Sequence, residues 1–161
     1  MRRYFSWLIL VALLFTASVM AAAKENTPAK YKVVEVKHLT KADSIDLSDE
    51  YMNSSYEELL KRLAGKGIFG TVVEDGGTIS DADTASAVVL ECKITEFHHG
   101  FASVPYVIVD VTLSSRGDHK VIRQFTNSKI PISSNFGKES DKVKARWTAF
   151  NLADEIKRNL K

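Results

Sequence analysis

The chain has 161 residues, 45% of them hydrophobic and 26% charged, with 22 Lys plus Arg against 20 Asp plus Glu. Such a composition can bury a real core, which argues against a disordered polyelectrolyte. A single cysteine, Cys92, rules out an internal disulfide framework.

The N-terminus reads as an export signal. Arg2 and Arg3 form a positive start, Tyr4 to Met20 carries no charge, and Ala21-Ala22-Ala23 offers the small residues a signal peptidase accepts. The apolar stretch is shorter than the ~20 residues that a spanning helix prefers. Residues 1–23 are therefore expected to be a cleaved signal peptide and 24–161 a single α+β domain, periplasmic or secreted. Lys24 stands where a lipoprotein would place its acylated cysteine, so no membrane anchor is expected after cleavage. Without Arg2 and Arg3, 20 basic residues face 20 acidic ones. This balance removes the electrostatic case for nucleic acid or anionic lipid.

In the mature chain, Tyr31 to Lys37 is rich in β-branched residues and predicts a strand. His38 to Leu47 reads as an irregular surface loop. Ser48 can cap a helix whose stripe is Met52, Tyr56, Leu59, Leu60 and Leu63, and Gly65 is expected to end it in a left-handed conformation. Ile68 to Glu74 predicts a second strand, broken by Asp75-Gly76-Gly77, and Thr78 to Ser86 an acidic loop. Val88, Leu90, Cys92 and Ile94 alternate with more polar neighbours, as do Val107, Val109, Val111 and Leu113, so both segments read as strands with one apolar face. Arg116-Gly117-Asp118 supplies a turn into a hairpin partner at Lys120 to Thr126. Pro131 and Gly137 bracket a linker before a closing helix over 139–159, whose stripe of Val143, Trp147, Phe150, Ala153, Ile156 and Leu160 is expected to face the core. The order β-α-β-β-β-β-α predicts an α+β two-layer sandwich, with an antiparallel-rich sheet of about five strands and two helices on one face.

Leu90 to Leu113 carries Ile94-Thr95-Glu96-Phe97, Gly100, and the alternating Val109, Val111 and Leu113. This stretch, with Ala149, Leu152-Ala153 and Ile156 of the closing helix, resembles a bacterial envelope family known as domain of unknown function 4410. That family is similar in architecture to the auxiliary lipoproteins of envelope transport systems. The resemblance implies a periplasmic α+β domain and supplies no catalytic residue.

Residue by residue, catalysis finds no constellation. His98 and His99 are neighbours on an extended segment and point to opposite faces, which disfavours a shared metal ion. Cys92 lies in register with Leu90 and Ile94, so a buried thiol is expected. Asp81-Ala82-Asp83 lacks the glycine and terminal glutamate of a calcium loop. Gly65-Lys66-Gly67 follows a helix and enters a strand, the reverse of a phosphate loop. No catalytic, cofactor or metal residue is assigned. The candidate partner or ligand loop is Phe97, His98, His99, Phe101 and Tyr106, an aromatic cluster at a strand connection. The expected function is a non-enzymatic accessory or binding module that contacts another envelope protein. The alternatives are a carrier of a small apolar ligand and, last, an enzyme.

Overall fold

In the computed structural model, which describes residues 29–98, 104–133 and 139–161, the first strand, β1 (Tyr31–Val36), is buried along most of its length. It leads through β2 (Thr40–Lys41) to helix α1 (Asp49–Ala64). Ser48 Oγ accepts a hydrogen bond from the Tyr51 N–H at 3.1 Å, satisfying one of the amides a helix start leaves open. Asp49 and Glu50 occupy the first turn and Lys61 and Arg62 the last, each sign opposed to the helix dipole at its end. The helix stops at Gly65, but that residue is right-handed (φ −86°). The left-handed turn is made two residues later by Gly67 (φ +70°), where the chain swings into β3 (Phe69–Glu74).

The sheet has six strands in the order β3-β1-β4-β5-β6, with β2 pairing β4. β4 is Val88–His98, β5 is Tyr106–Ser115 and β6 is Val121–Pro131. Three pairings are parallel (β1 with β3, β1 with β4, β2 with β4) and two antiparallel (β4 with β5, β5 with β6). The expected five-stranded, antiparallel-rich sheet is thus corrected to a mixed one of six strands. The helical crossover makes β1 and β3 parallel neighbours, and the chain after β3 must return past β1 to form β4. That return contains a further one-turn helix, α2 (Asp81–Thr84), where an irregular loop was expected.

β2 also lies in an expected loop. Val36 pairs with Leu90 and Lys41 with Ile94, so five steps on one side oppose four on the other. One extra residue interrupts what is otherwise a continuation of β1 along β4. Two residues of ladder leave no alternation to detect, which is why this segment was unreadable in the sequence.

The last helix, α3 (Asp141–Leu160), packs against α1. Ala145, Ala149 and Ala153 are buried at four-residue steps and let the helix axes approach closely, while Tyr51 Oη and Thr148 Oγ1 meet at 2.7 Å. One apolar cluster joins both helices to Val34, Val36, Leu90, Ile94, Val107, Val109, Val111 and Leu113 on a single face of the sheet. Here the expected helical stripe is corrected. Val143, Trp147 and Phe150 are 37%, 39% and 39% exposed, and the core side belongs to Ala145, Thr148, Ala149, Leu152, Ala153, Ile156 and Leu160. Small residues win the buried face because the neighbouring helix leaves no room for a ring. Among the described residues no helix is long and apolar enough to cross a membrane.

Candidate functional site

The expected partner loop starts at the far end of the β4–β5 ladder, where His98 pairs with Tyr106. Their rings stack with centroids 4.6 Å apart, and His98 Nε2 lies 2.8 Å from Glu96 Oε2. On β6 the Lys129 ammonium stands 5.7 Å from the Tyr106 ring centroid. A bulge places it there. Val107 pairs with Ile130 and Val109 with Asn127, so β6 carries one residue more than β5, and Lys129 takes a left-handed φ of +62°. Phe97 is half-buried against the core. The structure therefore brings His98 and Tyr106 together and turns Phe97 inward, while His99 and Phe101 lie outside the described residues.

The most organised polar centre was not singled out by the sequence. Glu35, on the side of β1 turned away from α1 and α3, is only 3% exposed. Its Oε1 accepts hydrogen bonds from Lys37 Nζ at 2.8 Å and from the Gly76 N–H at 3.1 Å, and Oε2 forms an ion pair with Arg116 Nη1 at 3.0 Å. Lys37 Nζ also donates to Asp75 Oδ1 at 2.8 Å, and the His38 N–H to Asp75 Oδ2 at 3.2 Å. Tyr56 Oη accepts from the Asp75 N–H at 2.7 Å and donates to the Val36 carbonyl at 3.1 Å. The network joins β1, the turn after β3 and the turn between β5 and β6. Its only trace in the sequence is a glutamate among the valines of β1.

Burial by itself would raise the Glu35 carboxyl, but the Lys37 and Gly76 hydrogen bonds and the Arg116 charge outweigh it and hold it below the ordinary range. Asp75 is lowered chiefly by its bond to Lys37, and Lys37 is raised chiefly by its bonds to Asp75 and Glu35. Carboxylates so stabilised are poor proton acceptors at neutral pH. The network does border two shallow grooves. One, of about 450 Å³, is lined by Glu35, Lys37, Glu91, Arg116, His119 and others. The second, about 320 Å³, continues past Lys37, His38, Glu91, Lys93 and Asp110.

Other candidates resolve individually. Cys92 is buried, and burial pushes its thiol up to about 12, far from a reactive thiolate. Asp83 is held by Lys32 and Ser80, and Lys66 by Asp154, so these charges of the apparent calcium and phosphate loops have structural partners, while Asp81 is exposed. Asp43, Asp46, Asp49 and Glu50 are exposed. Among the described residues, no group of three or more His, Cys, Asp or Glu could hold a metal ion.

No protein-family model matches the chain, and no curated protein matches it. Solved structures do. Protein XCC0632 of Xanthomonas campestris, from domain-of-unknown-function family 330, is 16% identical, with 81% of this chain and 83% of that one covered at a TM-score of 0.51. A Helicobacter pylori homologue of neuraminyllactose-binding hemagglutinin is 12% identical over 84% and 86% of the two chains, with a TM-score of 0.47. The PelC dodecamer protein of Paraburkholderia phytofirmans is 14% identical over 78% and 89%, at 0.45. Of these three, XCC0632 bears on the fold, and at such identity it shows the fold alone: a mixed α+β domain shared with a family of unknown function.

Proposed function

We propose that this chain is an exported periplasmic protein, a non-enzymatic accessory module that acts by binding another protein of the bacterial envelope. Its kinship with family 4410 belongs to the same proposal. The export reading rests on residues 1–23, which lie outside the described residues. The observation that carries the binding role is the outer edge of β6. This strand is the last in the sheet and eleven residues long, and Val121 and Ile122 at its start are 53% and 45% exposed. A free strand edge with exposed apolar side chains can receive an extended segment from a partner, its backbone supplying affinity and its side chains selectivity. At the other end of β6 the bulge at Lys129, and Pro131, blunt the edge against indiscriminate pairing. Among the described residues, that leaves the Val121 end open.

The interior disfavours the carrier reading. The apolar side chains between the sheet and the two helices form one buried cluster, with Leu90, Ile94, Leu113, Leu152 and Ile156 fully covered. The test is a photoreactive residue at position 122 in intact cells, with position 43 as an exposed control. A discrete adduct formed at 122 and absent at 43 is expected. Identical bystander profiles at both positions would sink the binding role.

A further inference from the structure

We propose that the outward face of α3 docks on an anionic lipid bilayer. Val143, Trp147 and Phe150 follow one another at four- and three-residue steps, so they form one stripe on the side of the helix opposite its buried residues. A large ring left about two-fifths exposed on an outward helix face is the side chain that settles at the headgroup level of a membrane.

The charges around the stripe select the kind of surface. Arg62 and Lys66 reach over from the end of α1 to stand 5.4 and 5.3 Å from the centroid of the Phe150 ring. Arg146 and Lys142 are exposed beside the stripe on α3 itself. Lys66 is paired with Asp154, Lys142 with Glu50 at 3.8 Å and Arg158 with Glu155. The unbalanced positive charge beside the stripe is therefore that of Arg62 and Arg146, which among the described residues have no carboxylate at ion-pair distance. The overall neutrality of residues 24–161 conceals this segregation. Residues 43–58 hold six carboxylates and no Lys or Arg, whereas residues 141–161 hold six Lys or Arg and three carboxylates. A second copy of the chain docked stripe to stripe would set cations against cations, while anionic headgroups complement them.

This surface shares with the strand-edge reading only the export of the chain, and stands or falls separately from crosslinking at position 122. Of the two tryptophans, Trp7 lies in the leader, so the processed protein of residues 24–161 carries Trp147 alone. Its emission reports directly on the stripe. Vesicles of phosphatidylcholine with one-third phosphatidylglycerol should shift that emission to the blue and allow quenching by brominated acyl chains, whereas pure phosphatidylcholine should do neither. Raising the salt should weaken the effect. A Val143→Ser, Phe150→Ser double variant, checked for an unchanged far-ultraviolet spectrum, should bind at least ~10-fold more weakly. Three results would overturn the proposal: emission indifferent to anionic vesicles, undiminished binding by the double variant, or a blue shift that follows protein concentration without lipid.

Discussion

Glu35 Oε2 stands 3.0 Å from Arg116 Nη1, tying the first strand to the turn between the last two. The carboxylate is almost wholly buried while the guanidinium is partly open to solvent, so the two are not equivalent as targets. Removing Arg116 leaves a buried charge with Lys37 and the Gly76 amide only. Arg116→Ala should lower unfolding stability by roughly 2–3 kcal/mol, toward the low end for a broken buried pair because the cations are about one-third exposed. Glu35→Gln removes the charge while Lys37 keeps Asp75, and should cost about 1–2 kcal/mol. Urea unfolding of the two variants measures the order. A larger loss in Glu35→Gln than in Arg116→Ala would contradict it.

The same network contributes to the acid limb of stability. Glu35 and Asp75 are both lowered in the fold, from ordinary values of 4.5 and 3.8. A carboxyl with a depressed folded pKa binds its proton more readily when unfolded. Its stabilisation is therefore complete above the ordinary value and is lost as pH falls through the depressed one. Lys37 has the opposite sign. Raised from 10.5, it stabilises fully below that value and loses the contribution as pH climbs through its higher folded pKa. Between pH 5 and pH 2 the protein should lose stability, and Glu35→Gln should flatten that slope. Equal slopes in the two proteins would remove Glu35 from the account.

How far the sequence revealed this fold depends on whether a residue's role was local. The capped start of α1 at Ser48, the alternation of β4 and β5 and the turn at Gly76 are written in neighbouring residues, and all were legible. The pairing partners were not. That β1 lies between β3 and β4 follows from a crossover, and no pattern within Tyr31–Val36 announces it. The closing helix misled for a related reason: bulk suggested Trp147 and Phe150 for the core, while the close approach of α1 selected the alanines. Of the candidate loop, the His98–Tyr106 stack could be anticipated from the hairpin, but the Glu35–Arg116 pair joins residues far apart in the chain.

Two glycines separate space from conformation. A Cβ at Gly70 would stand 2.7 Å from the Lys32 carbonyl oxygen, so any side chain pushes β3 off β1. Gly76 has open space around it but a φ of +72°. Gly70→Ala should cost about 2–3 kcal/mol through displaced backbone. Gly76→Ala should cost nearer ~1 kcal/mol through left-handed strain, with the Glu35 hydrogen bond retained. Thermal unfolding ranks them, and the reverse order would show that the β1–β3 spacing is soft.

Cys92 and Tyr51 add to the alkaline limb. Burial raises the thiol from 9.0 to about 12 and, against the bond to Thr148, the phenol from 10.0 to about 12. Both groups stay neutral longer in the fold than in the open chain. Their contribution is intact below the ordinary values and is lost as pH rises through the folded ones. Maleimide should accordingly label native Cys92 at least ~100-fold more slowly than the urea-unfolded chain, with a rate that follows opening of the structure. Labelling at comparable rates in both states would place the thiol at the surface.

The two sides of α3 predict opposite responses to truncation. Leu152 is fully buried in the cluster that joins sheet and helices, so Leu152→Ala opens a cavity and should cost about 2–5 kcal/mol. Trp147 lies outward at 39% exposure, and Trp147→Ala should cost less than about 1 kcal/mol despite removing the larger side chain. The converse substitution is the sharper measurement. Ala149 is buried between the helices, and Ala149→Leu should force α1 and α3 apart and lower stability by about 1–3 kcal/mol. Unfolding midpoints for the three variants decide which face of α3 is packed. A costly Trp147→Ala together with a neutral Ala149→Leu would reverse the helix and return the aromatic stripe to the core.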